Sequence, residues 1–352
     1  MPLRILDWPD GLLAPLMRGF DRLRMVTTPR RRPGTRHRPE HYDFSEFTRP
    51  DWAGDPDRVY PDCGPLTDLD AAPAVDAGAG LIRRAVAYRS NLPLGDAAND
   101  TGRAMLTARA DGSPRAGLVM LHGWGRRELD REAELCRDFA AAGIDTVLMT
   151  LPYHLDRAVA GSWSGEYMVS GDVVRTLRCF QQTVAEARGL AGWMRSRLPG
   201  RPVGIVGISL GGILAHLAMT VEPFDFGISM ISGGASAAIT WESPVTHYIR
   251  QDLIAAGIDR RLLEHVWRAA SPITFAAKVR TRPILMLVGR FDEVVPARHA
   301  EDLWEALGRP EIRRYPVAHY SAFFSFGRMT ADIIDFIGRA AAAYGQQSRH
   351  GA

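Results

Sequence analysis

The residues with the clearest capacity for chemistry are Gly207-Ile208-Ser209-Leu210-Gly211, a Gly-x-Ser-x-Gly pattern. They stand between an apolar run at residues 203–206 and a helical pattern at residues 213–219. This order predicts a sharp strand-to-helix turn that lifts the serine hydroxyl above a sheet, with glycines where side chains would clash. A serine held in this way can act as a nucleophile. The alternative is a serine that only caps a helix, which the strand–turn–helix context makes the weaker interpretation.

A nucleophilic serine needs a neighbouring imidazole, because its hydroxyl holds the proton too tightly at neutral pH to attack alone. His319 follows the last predicted strand, where a loop can carry it over the sheet. His247, His265 and His299 fall in helical patterns, which are typical of surface or core histidines. We therefore expect His319 to be the base.

The third member of such a site is a carboxylate that orients the imidazole. Asp292 stands three residues past the glycine that ends the apolar run 283–288, and it precedes His319 in the chain. We predict Asp292 rather than its neighbour Glu293 for this role. The alternative is that Asp292 only caps the helix beginning near residue 296.

A second glycine-rich turn, His122-Gly123-Trp124-Gly125, follows the apolar run 117–121. Such a turn leaves backbone N–H groups unpaired, and these can stabilise the oxyanion of a tetrahedral intermediate. Trp124 and Leu210 are the predicted donors. His122 is expected to hold the loop through hydrogen bonds and is also a candidate pocket residue. A plain strand-to-helix turn is the alternative.

Short apolar runs alternate with helical patterns from residue 81 onwards. Fully apolar strands that alternate with helices predict an α/β fold of three layers, with a mostly parallel sheet covered on both faces. The predicted strands are 86–90, 104–109, 117–121, 146–151, 203–208, 227–231, 283–288 and 312–315, and the predicted helices are 128–142, 173–197, 211–221, 297–307 and 330–342.

The alternation stops at residues 233–279, where two helical patterns occur and no strand is evident. A helical insertion at the carboxyl ends of parallel strands lies where such sheets bind ligands, so we predict a small helical cap. A peripheral helical pair without substrate contact is the alternative. Residues 51–80 hold seven Asp and four Pro against one Arg, which predicts an irregular surface connector.

Together the motifs HGWG, GISLGG, GRFDEVVP and VAHYSAF resemble the α/β-hydrolase superfamily over residues 81–343. The resemblance implies the α/β-hydrolase fold for a domain at residues 81–345, preceded by an N-terminal extension and connector at residues 1–80. LPYH at residues 151–154 and SGEY at residues 164–167 look like a little-studied abhydrolase-domain branch, whose activities are assigned by analogy as esterase or lipase-like. The implied roles are Ser209 as nucleophile, Asp292 as orienting acid, His319 as base, and Trp124 and Leu210 as oxyanion donors.

LPYH and SGEY follow the strand at residues 146–151 and should border the mouth of the same site. Tyr153, His154, Trp163 and Tyr167 are therefore candidates to line the acyl or alcohol pocket. The equally supported alternative is that they pack as a wall for the long helix that follows.

Residues 8–24 have an amphipathic pattern, which admits two interpretations. One is an interfacial helix that brings the protein to lipid. The other, which we favour, is a helix docked on the body of the protein, because acids share its polar face. That polar face is predicted to hold Arg18, Asp21, Arg22 and Arg24.

The composition limits the class of protein. Of 352 residues, 46% are hydrophobic and 24% charged, and the formal net charge is +3, which fits a globular protein and disfavours a nucleic-acid binder. The three cysteines lie in no ligand or disulfide spacing, so we expect no metal. No export signal or membrane-spanning run is evident, which predicts a cytoplasmic protein without a transmembrane segment.

These observations predict a serine hydrolase that cleaves small-molecule or lipid-like carboxylic esters through an acyl-enzyme and requires no cofactor. A peptidase, a thioesterase and an acyltransferase use the same constellation and remain alternatives. A non-catalytic binding or scaffold protein that retains the fold is an alternative of a different class.

Overall fold

The computed structural model describes residues 9–26, 43–49, 52 and 54–350. Trp8, the first residue of the predicted N-terminal helix, and other parts of the predicted extension lie outside the described residues. The strands are β1 (Thr67–Ala71), β2 (Val75–Gly78), β3 (Leu81–Arg89), β4 (Thr101–Arg109), β5 (Ala116–Leu121), β6 (Ile144–Thr150), β7 (Val203–Ile208), β8 (Gly227–Met230), β9 (Ile284–Gly289) and β10 (Glu311–Tyr315).

Helices precede, separate and follow these strands. They are α1 (Asp10–Val26), α2 (Pro56–Val59), α3 (Ala97–Asp100), α4 (Asp130–Ala141), α5 (Val173–Arg197), α6 (Leu210–Val221), α7 (Ser236–Glu242), α8 (His247–Ala255), α9 (Arg260–Val266), α10 (Ala297–Ala306) and α11 (Phe326–His350). Among the described residues, no helix combines the length and the apolar character needed to cross a bilayer.

The strands form one mixed sheet in the order β1-β3-β4-β6-β5-β7-β8-β9-β10, and β2 also pairs with β3. Strands β5 to β10 run parallel to one another, whereas β3 and β4 are antiparallel to their neighbours. The prediction of a mostly parallel sheet is confirmed. The carboxyl ends of β5, β7, β9 and β10 therefore meet at one edge, where loops can combine their side chains.

Helices cover both faces of the sheet, as the strand sequences predict. In β5, Val119 and Leu121 belong to the core shared with α5 and α6. Leu118 and Met120, which point the other way, belong to the core shared with α4 and α11. Because both faces are buried, every position of β5 must be apolar, which explains the continuous apolar run in the sequence.

The acidic stretch at residues 51–80 is more regular than its composition predicts. Strands β1 and β2 both add to β3 in antiparallel register at the edge of the sheet, so the prediction of an irregular connector is wrong there. Most of their side chains are exposed, whereas the alternate residues Leu69 and Ala71 of β1 are half-buried. Charged side chains suit a sheet edge, because they oppose pairing with another chain.

The segment predicted as a cap contains α7, α8 and α9 and no strand. It lies between β8 and β9, at the carboxyl end of the sheet. Val245 of this segment lines the cleft described below. The insertion is helical, and α7 is a helix beyond the two helical patterns that the sequence shows.

Candidate active site

The turn between β7 and α6 carries Ser209 in a strained conformation, with φ 54° and ψ −116°. A side chain at Gly207 would overlap the backbone of Gly211, and one at Gly211 would overlap the carbonyl oxygen of Leu121. Only glycines allow the chain to turn this sharply against its neighbours. The turn places the serine hydroxyl at the mouth of the sheet, as the motif predicts.

Three side chains from separate loops form a hydrogen-bonded chain at this point. The Ser209 Oγ lies 3.0 Å from the His319 Nε2, and the His319 Nδ1 lies 2.7 Å from the Asp292 Oδ2. The other oxygen of Asp292 accepts hydrogen bonds of 2.8 Å from the N–H groups of Val294 and Val295. The carboxylate is therefore held in one orientation, with His319 between it and the serine.

Glu293, the rejected alternative for the acid, points elsewhere. Its carboxylate lies 3.4 Å from the Arg18 Nε and 3.5 Å from the Arg22 Nε, both on α1. It is partly exposed to solvent, whereas Asp292 is buried beside the imidazole. Of the two neighbouring acids, the structure thus brings only Asp292 to His319.

The electrostatics of His319 favour its protonated form. Burial alone would lower the pKa of His319, but the Asp292 carboxylate and its hydrogen bond raise it, and the net pKa is raised. Asp21 adds to the rise and Arg126 opposes it. With Asp292 ionised, the Nδ1–H of His319 donates to the carboxylate, which leaves Nε2 free to accept the serine proton.

Two backbone N–H groups flank the serine without partners. Within the described part of the chain, neither the Trp124 N–H nor the Leu210 N–H donates a hydrogen bond. A Cβ placed on Gly123 would lie 3.6 Å from the Cβ of Ser209, so the two loops are in contact. This arrangement can receive an oxyanion formed at the serine.

His122 is buried directly beneath the loop that carries Trp124. Its Nε2 accepts a 3.0 Å hydrogen bond from the Leu151 N–H, so the Nδ1–H must donate to the carbonyl oxygen of Gly123 at 2.7 Å. Burial holds the pKa of His122 well below its usual value. The neutral ring joins the loop to the end of β6 and is not a proton carrier.

His154 supports the same loop from the LPYH motif. Its Nε2 accepts a 3.1 Å hydrogen bond from the Gly125 N–H, and its Nδ1 lies 2.9 Å from the carbonyl oxygen of Pro152. Burial lowers the pKa of His154 to about 4. The SGEY motif contributes Gly165, because any side chain there would overlap the His154 ring. The two motifs therefore form one support for the Trp124 loop.

The remaining predicted pocket residues pack behind the cleft. The rings of Trp163 and Trp124 meet edge to face, with their centroids 5.3 Å apart. The Trp124 Nε1–H donates a 2.8 Å hydrogen bond to the carbonyl oxygen of Gly165. The rings of Tyr153 and Tyr167 lie 5.7 Å apart. Trp163, Tyr153 and Tyr167, like His122 and His154, do not line the cleft, whereas Trp124 does. Their placement favours the wall-packing interpretation.

A cleft of about 310 Å³ opens above Ser209 and His319. It combines apolar rings with basic side chains, and Arg131 lies over the Phe323 ring at 4.9 Å. No motif in the sequence marks most of these side chains, because they come from segments far apart in the chain. The lining side chains outside the motifs include Phe20, Arg24, Arg126, Arg131 and Phe326.

Helix α1 docks on the body of the protein, but the face that it buries only partly matches the one that its sequence predicts. The side chains that it buries are Leu13, Met17 and Asp21. The amphipathic pattern of residues 8–24 places Leu13 and Met17 on its apolar face together with Leu12, Leu16 and Leu23, and the last three are exposed. The difference has a local cause, because the carboxylate of Asp21 finds backbone donors in the protein interior.

Part of the sequence matches a known protein family. The family described as "alpha/beta hydrolase domain containing 18" matches residues 103–255, which include the loops of Trp124 and Ser209. Over these residues the chain is similar to this α/β-hydrolase family, and its fold is that of the α/β-hydrolases. The match ends before the loops that supply Asp292 and His319, so it does not bear on these two residues.

Two relatives of this α/β-hydrolase are named as uncharacterized proteins. One is protein Rv2627c of Mycobacterium tuberculosis, 28% identical over 232 residues, which are 65% of this chain and 55% of that protein. The match thus spans about half the length of this relative. Another is protein YdjC of Bacillus subtilis, 26% identical over 97 residues, which are 28% of this chain and 84% of that protein.

Solved structures share the fold across nearly the whole chain. The acetyl xylan esterase of Paenibacillus sp. R4 has a TM-score of 0.62 and 16% identity, over 88% of this chain and 97% of that one. Acetyl xylan esterase 1 of Thermoanaerobacterium sp. JW/SL YS485 has the same TM-score and identity, over 90% and 98% of the two chains. At this identity the likeness establishes the fold.

Proposed function

We propose that this α/β-hydrolase cleaves carboxylic esters through a covalent acyl-enzyme on Ser209. The observation that carries the proposal is the hydrogen-bonded chain from the serine through His319 to Asp292, next to two N–H groups that have no partner among the described residues. A nucleophile, a base with an oriented tautomer and oxyanion donors are the parts that acyl transfer requires.

In the proposed reaction the Ser209 Oγ attacks the ester carbonyl while the His319 Nε2 takes the serine proton. The N–H groups of Trp124 and Leu210 donate to the oxyanion of the tetrahedral intermediate. The imidazolium, stabilised by Asp292, then protonates the departing alkoxide. Water, deprotonated by the same imidazole, attacks the acyl-enzyme and releases the carboxylic acid and the free serine.

The size of the cleft supports esters with short acyl chains. Its volume of about 310 Å³ is near the lower end of the range for small-molecule sites, about 300–1,000 Å³. Two of the proteins with the same fold are acetyl xylan esterases, which makes acetyl esters suitable first substrates. We therefore expect p-nitrophenyl acetate and butyrate to be cleaved faster than the octanoate.

Labelling with a fluorophosphonate probe tests the proposal, together with turnover of the p-nitrophenyl ester series. Ser209→Ala should fold normally but lose labelling and nearly all turnover, because the nucleophile is gone. Ser113→Ala, which removes an exposed hydroxyl bound to Asp111, should label like the wild type. Undiminished labelling of Ser209→Ala would place the nucleophile elsewhere.

A further inference from the structure

Asp21 of α1 is a buried carboxylate at the base of the candidate site. Its side chain is 0% exposed. It accepts hydrogen bonds from the Tyr320 N–H at 3.0 Å and from the Ser321 N–H at 2.9 Å. These donors belong to the two residues that directly follow His319. An acid from the N-terminal helix thus binds the backbone of the histidine loop.

The same loop is fixed on the other side of the histidine. The Ser321 Oγ accepts a 2.8 Å hydrogen bond from the Ala318 N–H. Together with the two bonds to Asp21, this contact fixes the N–H groups of the residues before and after His319. The imidazole must stay within hydrogen-bond distance of both Ser209 and Asp292, so the orientation of its backbone matters.

The other polar contacts of α1 are weaker candidates for this task. Asp10 makes two 2.8 Å hydrogen bonds to Arg290, and Arg18 and Arg22 contact Glu293. All of these contacts are exposed to solvent, where ion pairs contribute little. Asp21 differs because a buried carboxylate is costly to desolvate and persists only where it is well bonded.

We propose that Asp21 is a positioning residue for His319, and that α1 is therefore part of the active site. This inference rests on the proposed function, in which His319 is the base. The carboxylate fixes the loop backbone through the Tyr320 and Ser321 N–H groups. Its negative charge, buried near the imidazole, also stabilises the imidazolium that forms during acyl transfer.

The charged groups around the imidazole set the expected pH dependence. Asp292, Asp21 and Arg126 face His319, from the loop after β9, from α1 and from the loop after β5. The two carboxylates raise the pKa of His319 and the guanidinium lowers it. Removing the charge of Asp21 should therefore lower this pKa, so the acidic limb of kcat/KM should move to lower pH.

Asp21→Asn is the first test, because the amide keeps the size of the side chain but loses the charge and one acceptor. We expect kcat for p-nitrophenyl acetate to fall at least tenfold, since small misplacements of catalytic groups cost roughly up to 10²-fold. KM should stay within about twofold, and the acidic limb should move to lower pH. Asp10→Asn is the matched control on the same helix and should keep kcat within about twofold.

Active-site titration with the fluorophosphonate and thermal melts separate positioning from folding. If Asp21→Asn fails to fold, Asp21→Ser, which retains an acceptor oxygen without charge, takes its place. If Asp21→Asn has the wild-type kcat per titrated site and the acidic limb of its kcat/KM profile does not move, the positioning role is overturned, even if the melting temperature falls. Activity retained by Ser209→Ala would instead overturn the proposed function, so the two failures are distinguishable.

Discussion

At the residue scale, the neighbours Asp292 and Glu293 offer a direct test of the orienting acid. Asp292→Asn presents an amide to the Nδ1–H of His319 and favours the wrong tautomer, so turnover should fall by up to ~10⁴ with the fold intact. Glu293→Gln should change turnover less than about tenfold, because this carboxylate contacts α1. Turnover and melting temperature, measured on both variants, decide the point. A destabilised but active Asp292→Asn enzyme would mean that Asp292 only caps a helix.

The raised pKa of His319 predicts the acidic side of the pH profile. The imidazole must be neutral to accept the serine proton, so kcat/KM should rise with pH as His319 loses its proton. Because the Asp292 carboxylate more than offsets burial, the midpoint should lie above 6.5, the usual pKa of the group. His247→Ala, at an exposed histidine, should leave the profile unchanged. A midpoint well below 6.5 would contradict this electrostatic account.

Individual residues differ in how visible they are to sequence reasoning. Ser209 and Asp292 each follow an apolar strand, and His319 follows the last strand, EIRRY. Few residue types can perform their proposed chemistry, so their loops are recognisable. Asp21 lies on a helix nearly three hundred residues away and belongs to no motif. Its only signal is its spacing of four and eight residues from the buried Met17 and Leu13, which places an acid on the docked face.

At the element scale, the loop of Trp124 depends on the support formed by the LPYH and SGEY segments. Gly165→Ala should displace the His154 ring, which then loses its bond to the Gly125 N–H. The Trp124 N–H would move away from the oxyanion position. We expect kcat to fall at least tenfold with a smaller change in KM, because such donors act in the transition state.

Gly200→Ala is the matched control for this substitution. Gly200 also has a positive φ, 73°, but a Cβ there would meet no atom within 4 Å. It should therefore show the backbone strain of alanine in this conformation, about 1 kcal/mol, without loss of turnover. Equal losses of kcat in both variants would show that strain, and not the His154 contact, accounts for the effect of Gly165→Ala.

Elements are predictable where their burial is complete and less so where it is partial. The sequence predicts α5 and β7 with the bounds that the structure has, because long helical periodicity and uninterrupted apolar runs are strong signals. Strands β1 and β2 are not predicted, because their side chains are largely exposed and several are acidic, so the sequence shows no apolar run there. The docked face of α1 is not fully predicted, because a buried acid such as Asp21 cannot be told from a surface acid in the amphipathic pattern.

At the scale of the whole molecule, a network around one buried ion pair joins four separate parts of the chain. The Arg157 guanidinium donates to both oxygens of Glu186 at 2.8 Å, and both side chains are fully buried. Arg157 also donates to the carbonyl of Asn99, while the Tyr88 hydroxyl donates to Glu186. The network therefore connects β3, α3, the loop after β6 and the middle of α5.

Breaking this pair should destabilise the protein strongly. Glu186→Gln leaves the Arg157 charge buried without its partner, which typically costs about 3–5 kcal/mol. Urea unfolding followed by circular dichroism should show a midpoint well below that of the wild type. Glu305→Gln, which breaks the exposed pair with Arg309, should leave the midpoint unchanged within error. The double variant Arg157→Met/Glu186→Met removes both charges together, so we expect it to be more stable than Glu186→Gln. If the double variant is no more stable, the loss of stability comes from lost packing and not from an uncompensated charge.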